Sequence, residues 1–232
     1  MQKEAKRQFK NRLFDQFARV GRALGSAHRL ELLDVLAQGE RSVEQLAAET
    51  DLSLANASQH LQILRQAELI VARREGVRVL YALAGPEVFA LYQALRAASE
   101  ARLAEIQRVV ATFLTERETM EVIGPEELRR RLATGEITLL DVRPLLEYRQ
   151  GHIAGARSIP VDALPERIAE LPPGRPVVAY CRGPYCVYAD EAVTLLRAHG
   201  LNAVRLATGY PDWQAAGLPV ATADKAMPLG GE

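Results

Sequence analysis

The stretch SVEQLAAETDLSLANASQHLQILRQAELI occupies residues 42–70 and decides the fold of the first half of the chain. Ser42 stands three residues before Gln45, which is the capping-box pattern that starts a helix. Residues 51–53 predict a short turn, and a second helix then follows over residues 54–66. Two short helices joined by such a turn are the helix-turn-helix arrangement.

A β-hairpin is predicted directly after this pair of helices. Residues 69–74 and 77–83 are strand-like runs on either side of Glu75-Gly76, and glycine adopts the positive φ that a tight turn needs. A hairpin that follows a recognition helix is a wing. Apolar spacing also predicts two helices before the motif, over residues 3–24 and 27–38.

A long helix is predicted after the hairpin, over residues 86–115. Pro86 suits its first turn, and its apolar stripe is longer than a small domain needs to cover its core. A spare stripe of this kind usually pairs with a second copy of itself, which predicts a homodimer of C2 symmetry. The stripe consists of Val88, Leu91, Leu95, Ala98, Leu103, Ile106, Val110 and Leu114.

The composition is that of an ordinary soluble globular protein. The chain has 232 residues, of which 48% are hydrophobic and 25% charged, and this apolar content excludes disorder of the whole chain. No apolar run reaches the roughly 18 residues of a membrane span, and the N-terminus lacks the apolar core of a signal peptide. Because two cysteines exclude a disulfide scaffold, we expect a cytoplasmic protein without a membrane partner.

The formal net charge of zero conceals an uneven distribution. Residues 1–115 carry 16 Lys and Arg against 13 Asp and Glu, a net charge of +3. Residues 116–232 carry 13 against 16, a net charge of −3. This difference fits an anion-binding first half and a separate second half. We therefore expect two domains, over residues 1–115 and 120–222.

Residues 10–85 resemble the ArsR/SmtB family of dimeric winged-helix repressors. The resemblance is carried by AHRLELLDVL at 27–36, by the stretch 42–70 and by VARREGVRVLYAL at 71–83. Its most specific part is SQHLQILRQAELI. The resemblance implies that helix 54–66 enters the major groove of double-stranded DNA and that the wing straddles a phosphate backbone.

The polar groups of the recognition helix and the cations of the wing agree with DNA binding. Asn and Gln bond adenine edges, Ser bonds phosphates, and wing arginines neutralise phosphates, which gives affinity with little sequence information. The alternative interpretation is that these residues are simply a solvated helix face and a charged turn. For His60, a packing or surface role is as well supported as a contact with DNA. The candidate DNA-binding residues are Ser53, Asn56, Ser58, Gln59, His60, Arg73, Arg74 and Arg78.

No metal site is expected in the first half. Metal-responsive members of the family use Cys pairs or Asp and His sets, but residues 27–66 contain no Cys and only His28 and His60. Helix 86–115 has neither residue type. Because thiophilic and borderline metals need thiolate and imidazole ligands, any sensor chemistry should come from the second half.

Helices alternate with short apolar strands through the second half, which predicts a mostly parallel sheet covered on both faces. The predicted helices are 126–136, 161–171 and 188–200, and the predicted strands are 137–143, 176–181 and 202–207. Residues 115–125 are charged and end in Gly-Pro, as expected of a linker. Reactive groups in such sheets lie just past the carboxyl ends of strands, and Cys181 lies at such a point.

Residues 120–220 are similar to a single rhodanese domain. The matching pieces are DVRPLLEYRQGHIAGARSIP at 141–160, VVAYCRGPYC at 177–186 and GYPDW at 209–213. Rhodanese domains carry sulfane sulfur as a persulfide on the loop cysteine, and Cys181 occupies that position. The resemblance implies a small sulfur donor, such as thiosulfate or a persulfide, as the partner of this half, and we expect no cofactor.

A loop of this kind suits a reactive thiol, because the thiolate is the reactive form and a free thiol has a pKa of about 8.5. Backbone N–H groups at a helix N-terminus would cradle the anion, Gly183 would let the backbone approach closely, and Arg182 would attract an anionic donor. An inert buried cysteine is the alternative. The candidate catalytic residues are Cys181, Arg182 and Cys186, and the candidate anion cradle is Gly183, Pro184, Tyr185 and Val187.

Cys186 stands where related active loops often end in Thr or Arg, and we expect it inside the helix that follows. It has three interpretations: a resolving thiol, which attacks a persulfide or forms a disulfide with Cys181; a second ligand for a soft oxyanion such as arsenite; or a small first-turn residue. Phosphatase-like loops need one more residue and an Arg, a role that Val187 cannot fill, so phosphoryl chemistry is disfavoured. We expect Cys181 to take up sulfur first and Cys186 to act second.

The remaining signature residues are expected to be structural. They should hold turns and bury hydrogen bonds beside the loop, and His152 is not expected to act as a general base. Trp213 is expected to be a packing residue. The signature consists of Asp141, Arg143, Glu147, Gly151 and His152.

The two halves together predict a dimeric, cytoplasmic transcriptional regulator with a rhodanese-like sensor or sulfur-carrier tail. The alternative is a sulfurtransferase enzyme whose helical domain mainly dimerises it. A third hypothesis, an arsenic-linked regulator, rests only on the family name and Cys186.

Overall fold

The computed structural model describes residues 2–114 and 120–223. Contacts between residues divide the chain into two compact units, 1–95 and 96–232, and the division falls within one helix. The sequence predicted a boundary between residues 115 and 120, later in the chain. The domain ranges 1–115 and 120–222 stay predictions.

Helices surround a small antiparallel sheet in the N-terminal unit, as expected of a winged helix-turn-helix. Its elements in chain order are α1 (Gln2–Leu24), α2 (Ala27–Leu36), β1 (Arg41–Ser42), α3 (Val43–Glu49), α4 (Leu54–Gln66), β2 (Ile70–Glu75), β3 (Arg78–Leu83) and the first part of α5 (Pro86–Arg102). The prediction of a helix-turn-helix followed by a wing is confirmed.

The helix-turn-helix motif, α3 and α4, begins at the predicted capping box. The Ser42 hydroxyl accepts a hydrogen bond from the Gln45 N–H, and the Gln45 side chain accepts one from the Ser42 N–H at 2.9 Å. This pairing satisfies two backbone donors that the helix leaves open. Between the helices, Asp51 has a φ of 52°, a conformation that Asp adopts more readily than most residues.

Leucines from α2, α3 and α4 form the core of this unit. Leu32, Leu46, Leu61 and Leu64 are almost fully buried and belong to one cluster. Burial of a leucine side chain contributes about 1.5–3 kcal/mol, so these residues fix how the three helices pack. Leu30, predicted to face inward with its neighbours, is only half-buried.

The wing is a β-hairpin within a three-stranded antiparallel sheet of order β1-β3-β2. Gly76 turns the hairpin with a φ of 60°. Arg73 lies opposite Leu80, and Arg74 opposite Val79. Because adjacent residues of a strand face opposite sides, Arg73 and Arg74 point away from each other.

Apolar side chains line the exposed surface of α1. Phe9, Phe14 and Phe17 are 66%, 63% and 59% exposed, and the last two rings meet edge to face. Leu91 and Leu95 extend the exposed apolar surface of this unit along α5. One copy of the chain thus leaves these faces uncovered.

The single helix predicted over residues 86–115 is wrong. The structure has α5 and then α6 (Ala104–Phe113), separated by Leu103 in an extended conformation with φ −109° and ψ 96°. No Gly or Pro lies near Leu103, so the sequence carries no local signal for this break. The last position of the predicted helix lies outside the described residues.

The rest of the C-terminal unit has a parallel sheet with helices on its faces. After the end of α5 and α6, its elements are β4 (Val122–Ile123), α7 (Pro125–Ala133), β5 (Thr138–Asp141), α8 (Leu145–Gln150), β6 (His152–Ile153), β7 (Arg157–Ser158), α9 (Leu164–Arg167), β8 (Val177–Tyr180), α10 (Val187–Ala198), β9 (Ala203–Leu206), α11 (Tyr210–Ala215) and β10 (Val220–Ala221).

The five-stranded sheet has the order β4-β9-β8-β5-β7 with every pair parallel, and β6 pairs with β10 separately. Two apolar clusters cover it: one includes Val177, Ala179 and Cys181, and the other includes Val178 and Tyr180. Alternate residues of β8 therefore face opposite layers. The predicted parallel sheet with two covered faces is confirmed.

Two local predictions in this unit are wrong. The predicted helix 161–171 is broken into 3-10 turns and the short α9, because Pro165 has no N–H to donate to the Val161 carbonyl. The predicted linker 115–125 contains β4, an edge strand of the sheet. Residues 115–119 of that linker lie outside the described residues.

Candidate functional site

The recognition helix α4 presents most of its predicted polar residues to solvent. Ser53, Asn56 and Gln59 are exposed, whereas Ser58 is half-buried. The Ser53 hydroxyl also caps the helix by accepting a hydrogen bond from the Asn56 N–H at 3.2 Å. Its first role is therefore to start the helix, and Asn56 and Gln59 are the amides best placed to reach base edges.

His60 is half-buried and packs against His28 of α2, with 5.5 Å between the ring centroids. Burial, followed by the charges of Arg29 and His28, lowers the pKa of His60. The ring is therefore neutral at pH 7. Packing against His28 makes this side chain a weaker candidate for phosphate contact than its position alone suggested.

The three wing arginines have different surroundings. Arg73 forms ion pairs with Glu40 and Glu75, and its hydrogen bond to Glu40 raises its pKa. In the described part of the chain Arg74 has no ion-pair partner, and Arg78 lies near enough to Glu44 to lower the pKa of that carboxyl slightly, after larger effects of hydrogen bonds. Arg74 and Arg78 are thus more available to a phosphate than Arg73.

The cysteine loop, residues 181–186, joins the carboxyl end of β8 to the start of α10. This is the position predicted for Cys181. The Tyr210 N–H of α11 donates to the Cys181 carbonyl at 3.1 Å. A Cβ on Gly209 would collide with the carbonyl group of Arg182 and the nitrogen of Gly183. Only glycine therefore fits at this position, where the backbone before α11 packs against the loop.

Cys181 is buried, with 2% of its surface exposed. Its thiol lies 3.6 Å from the Cys186 carbonyl oxygen and 3.9 Å from that of Gly183, to which it donates. Burial, followed by the interaction with Cys186, raises the pKa of Cys181 well above its usual range. The N–H groups of Gly183 and Ala189 oppose this rise but do not outweigh it.

Cys186 is the N-cap residue of α10, with φ −72° and ψ 127°, and not a residue inside the helix as predicted. It is only partly buried. A hydrogen bond from the Cys181 thiol lowers the pKa of Cys186, and backbone N–H groups of Arg182 and Tyr188 add to the effect, as does the Arg182 charge.

Arg182 points to a carboxylate of the family signature. Its Nε donates to Oε1 of the buried Glu147 at 3.0 Å, and its guanidinium lies 5.8 Å from the centre of the Tyr188 ring. A charge held by Glu147 is not free to capture a donor by itself. Its contribution to the site is a fixed positive potential beside Cys186.

The other cradle residues contribute unequally. Pro184 has no N–H and cannot bind an anion through its backbone. A Cβ on Gly183 would meet no described atom within 4 Å, so no close contact requires glycine there. Tyr185 and Val187, on either side of Cys186, are 40% and 41% exposed.

The rest of the signature forms a buried network beneath the loop. Arg143 donates to Asp141 at 2.6 Å and to the Gly151 carbonyl at 2.8 Å, and the Tyr180 hydroxyl donates to Asp141 at 2.6 Å. The Arg143 guanidinium also lies 4.4 Å from the centre of the Tyr210 ring. These contacts fit the structural role expected of the signature.

The two remaining residues discussed with the signature also have structural contacts. Nδ1 of His152 lies 2.9 Å from the Tyr148 carbonyl oxygen, and its ring stacks on Tyr148. The buried Trp213 donates to the Pro219 carbonyl at 2.9 Å.

Within the C-terminal unit, the last turns of α5 contact both sides of the cysteine loop. The Tyr185 hydroxyl donates to Glu100 at 2.8 Å, and Arg96 donates to Asp212 of α11 at 2.7 Å. Asp212 also accepts from the Gly209 N–H at 3.3 Å. Sequence reasoning missed these contacts, because no motif signals a pairing between residues so far apart in the chain.

A groove of about 540 Å³ lies between α6 and the residues that flank Cys186. Its lining is apolar apart from Glu105 and includes Ile106, Phe113, Tyr185 and Val187. The groove leaves the outer side of the loop open.

Comparison with known proteins identifies both halves of the chain. A model of the bacterial regulatory protein arsR family matches residues 26–71, and a model of the rhodanese-like domain matches residues 124–216. The chain is 46% identical over 218 residues to the HTH-type transcriptional regulator Rv0324 of Mycobacterium tuberculosis, an alignment that covers 94% of each chain. The chain belongs to the ArsR family of transcriptional regulators. This ArsR-family regulator carries a rhodanese-like domain at its C-terminus.

Other relatives match one half only. A sulfurtransferase of Allochromatium vinosum is 35% identical over 99 residues, which are 42% of this chain and 92% of that protein. An NMR structure of the homodimeric winged helix-turn-helix DNA-binding domain of a possible ArsR-family regulator from Mycobacterium bovis is 46% identical, with a TM-score of 0.39. It covers 40% of this chain and 87% of that one.

Neither a metal cluster nor a membrane span emerges from residues 2–114 and 120–223. No three or more His, Cys, Asp and Glu side chains come together there in a way that could hold a metal ion. None of the described helices is long and apolar enough to cross a membrane.

Proposed function

We propose that this ArsR-family regulator uses its rhodanese-like domain as a sulfur sensor. In this proposal the pair Cys181–Cys186 reacts with sulfane sulfur, and the reaction changes the affinity of the winged helix for its operator. The observation that carries the proposal is the loop between β8 and α10, which holds two free cysteines, of which Cys186 is only partly buried and has a lowered pKa. A thiolate is the form that attacks sulfur.

Small sulfur donors such as thiosulfate or a persulfide fit the loop. Its outer side is open at the groove beside Tyr185 and Val187, and Arg182 supplies a fixed positive charge next to Cys186. Once one of the two thiols of the loop carries sulfur, the other attacks its inner sulfur atom and closes a disulfide.

The DNA-binding surface in this proposal consists of α4 and the wing. Asn56 and Gln59 would contact base edges, and Arg74 and Arg78 would contact phosphates. Ser53, His60 and Arg73 have contacts within the protein and Ser58 is half-buried, so these four residues would act at the margin of the surface. A regulator that binds chromosomal DNA works in the cytoplasm of a bacterium.

A homodimer is proposed from the uncovered apolar faces of α1 and α5. Three phenylalanines more than half exposed on one helix are unusual for a surface that stays in water. A second copy would cover these rings, and two-fold symmetry would place two recognition helices about one turn of DNA apart.

The test is a titration of operator DNA, using a duplex that the reduced protein selects from a random library. Treatment with glutathione persulfide should change the affinity of the wild type by about fivefold or more, which is the usual lower range of allosteric coupling. Cys181→Ser and Cys186→Ser should lose that response. Light scattering on the same samples should give twice the 25.5 kDa of one chain.

An unchanged affinity in the wild type, with the sulfur adduct verified by mass spectrometry, would contradict the sensor function. The second candidate is then a sulfurtransferase, which the likeness to the Allochromatium vinosum protein favours. Turnover of thiosulfate and cyanide that depends on the loop cysteines would support it.

A further inference from the structure

We infer that the groove between α6 and the cysteine loop binds the apolar organic group of a persulfide, R–S–SH, and so selects alkyl and aryl persulfides over thiosulfate. The inference rests on the proposed function, because it names the class of donor for the same loop. The groove itself is a property of the fold, so its binding of an apolar group can be measured without any sulfur chemistry.

The size and lining of the groove suit a small apolar ligand. Its volume of about 540 Å³ lies within the range of ligand pockets in proteins. Ile106, Val109 and Phe113 line it from α6, and Tyr185 and Val187 line it from either side of Cys186. An organic group of several carbons would leave water together with these side chains, and this burial is the favourable contribution to apolar binding.

The charges at the groove disfavour thiosulfate. Among the described residues that line it, Glu105 alone is charged, and Arg108 pairs with that carboxylate at 3.0 Å. The Tyr185 hydroxyl already donates to Glu100 at 2.8 Å. A doubly charged anion would lose its hydration here without a cation among these lining residues to replace it, whereas an alkyl or aryl group has no such cost.

The groove lies next to a buried thiol, which gives the binding of a donor there a purpose. Cys181 is the acceptor that the rhodanese resemblance implies, and with 2% of its surface exposed it meets a donor only when the loop opens. Its sulfur lies 3.6 Å from the carbonyl oxygen of Cys186, the residue between Tyr185 and Val187. A donor held in the groove is already beside the loop at that moment, which raises its effective concentration.

The transfer of sulfur from such a donor balances without a further oxidant. Cys181 loses its proton to water, and its thiolate attacks the terminal sulfur of R–S–SH. The S–S bond of the donor breaks, and RS⁻ leaves with the electron pair and takes up a proton from water. The products are Cys181–S–SH and the thiol RSH. The groove therefore selects the organic carrier and not the sulfur atom that is transferred.

The first test measures binding without reaction, on the full chain with straight-chain alcohols as probes. 1-Hexanol should shift the NMR methyl signals of Val109 and Val187, and it should bind more tightly than 1-propanol by about two- to fourfold for each added methylene. Val109→Asp should abolish this gain, because a charge replaces an apolar side chain of the lining. Gln107→Asp is the matched control, since it adds the same charge to α6 at an exposed residue outside the lining.

The second test follows sulfur uptake by mass spectrometry with methyl, propyl and pentyl persulfides, whose reacting –S–SH groups are alike. At low donor concentration the rate should rise about two- to fourfold per added methylene in the wild type and in Gln107→Asp, and it should not rise in Val109→Asp. Thiosulfate should react with the three proteins at rates within about twofold of one another, because it gains nothing from the apolar lining.

The outcomes separate the groove from the sensor. Equal rates along the alkyl series in the wild type, or a loss of hexanol binding in Gln107→Asp as well as in Val109→Asp, would overturn the inference. A wild type that binds no alcohol, together with a Val109→Asp variant that light scattering shows as a monomer, would mean that a second copy covers the groove and would also overturn it. Uptake that follows the alkyl series without any change in operator affinity would refute only the sensor function.

Discussion

At the scale of single residues, Gly209 lies outside the cysteine loop but packs closely against its backbone. A Cβ at this position would overlap the backbone of Arg182 and Gly183. Backbone atoms cannot rotate away as a side chain can, so the loop itself would have to move. We therefore expect Gly209→Ala to destabilise the protein by about 1–3 kcal/mol, the usual cost of overpacking. Chemical denaturation would measure the loss.

The same substitution should expose Cys181. Displacing the loop removes the cover over the thiol, so maleimide should label Cys181 in native Gly209→Ala. Gly183→Ala is the matched control, because a Cβ there meets no described atom within 4 Å and the residue does not have a positive φ. Its stability should stay within about 0.5 kcal/mol of the wild type. Equal stabilities of the two variants would contradict the contact proposed for Gly209.

The sequence predicted where the cysteines lie better than how their surroundings differ. The end of an apolar strand followed by a loop and a helix was readable from residues 176–200, and the structure has this order. The raised pKa of Cys181 comes first from burial, and backbone N–H groups contribute to the lowered pKa of Cys186. Those quantities belong to the folded loop, so no pattern of residue types expresses them.

At the scale of elements, helix prediction failed once without a local signal in the sequence and once despite such a signal. Residues 86–115 have uniformly helical propensity, yet the helix breaks at Leu103. The break lets the apolar face of α6 line the groove with Tyr185 and Val187. By contrast, Pro165 in the segment 161–171 was a local signal, and its missing N–H explains the interruption there.

For the wing, the structure distinguishes the arginines that are available to DNA from the one that is already paired. Arg74→Ala should weaken binding to all duplexes and reduce the slope of log K against log salt by about 1, because one phosphate contact is lost. Arg73→Ala is the neighbouring control. Its guanidinium is already paired with Glu40 and Glu75, so its removal should change the slope less.

Fluorescence anisotropy over a range of salt concentrations would give both slopes. A larger change for Arg73→Ala than for Arg74→Ala would mean that DNA breaks the Glu40 ion pair. It would then be Arg73, and not Arg74, that makes the phosphate contact. Equal, negligible changes in both variants would remove Arg73 and Arg74 from the DNA-binding surface.

At the scale of the whole molecule, α5 is the element that belongs to both units. Val88, near its start, packs in the core of the N-terminal unit, and its last turns contact the surroundings of the cysteine loop within the C-terminal unit. Tyr185 and Asp212 make those contacts, with Glu100 and Arg96 as their partners. Because α5 runs through the division between the units, we expect any coupling between the cysteine loop and the winged helix to pass along this helix.

Tyr185→Phe tests this connection, because it removes the hydroxyl that bonds Glu100 and keeps the ring. Closing a disulfide next to Tyr185 should shift this residue, and the hydrogen bond would pass the shift to α5. The variant should still take up sulfur at the cysteine loop, measured by mass spectrometry. Its donor-induced change in operator affinity should be at least about twofold smaller than that of the wild type, the lower end of the range for residues that carry coupling.

Tyr188→Phe serves as the control, since it removes a hydroxyl on the other side of Cys186, where the ring faces Arg182 and not α5. The control should respond to the donor as the wild type does. If Tyr185→Phe keeps the full response while Cys186→Ser loses it, the signal does not pass through Glu100. The ion pair of Arg96 with Asp212, on the opposite side of the loop, would then be the contact that remains to carry it, and Asp212→Asn would be the variant that loses the response.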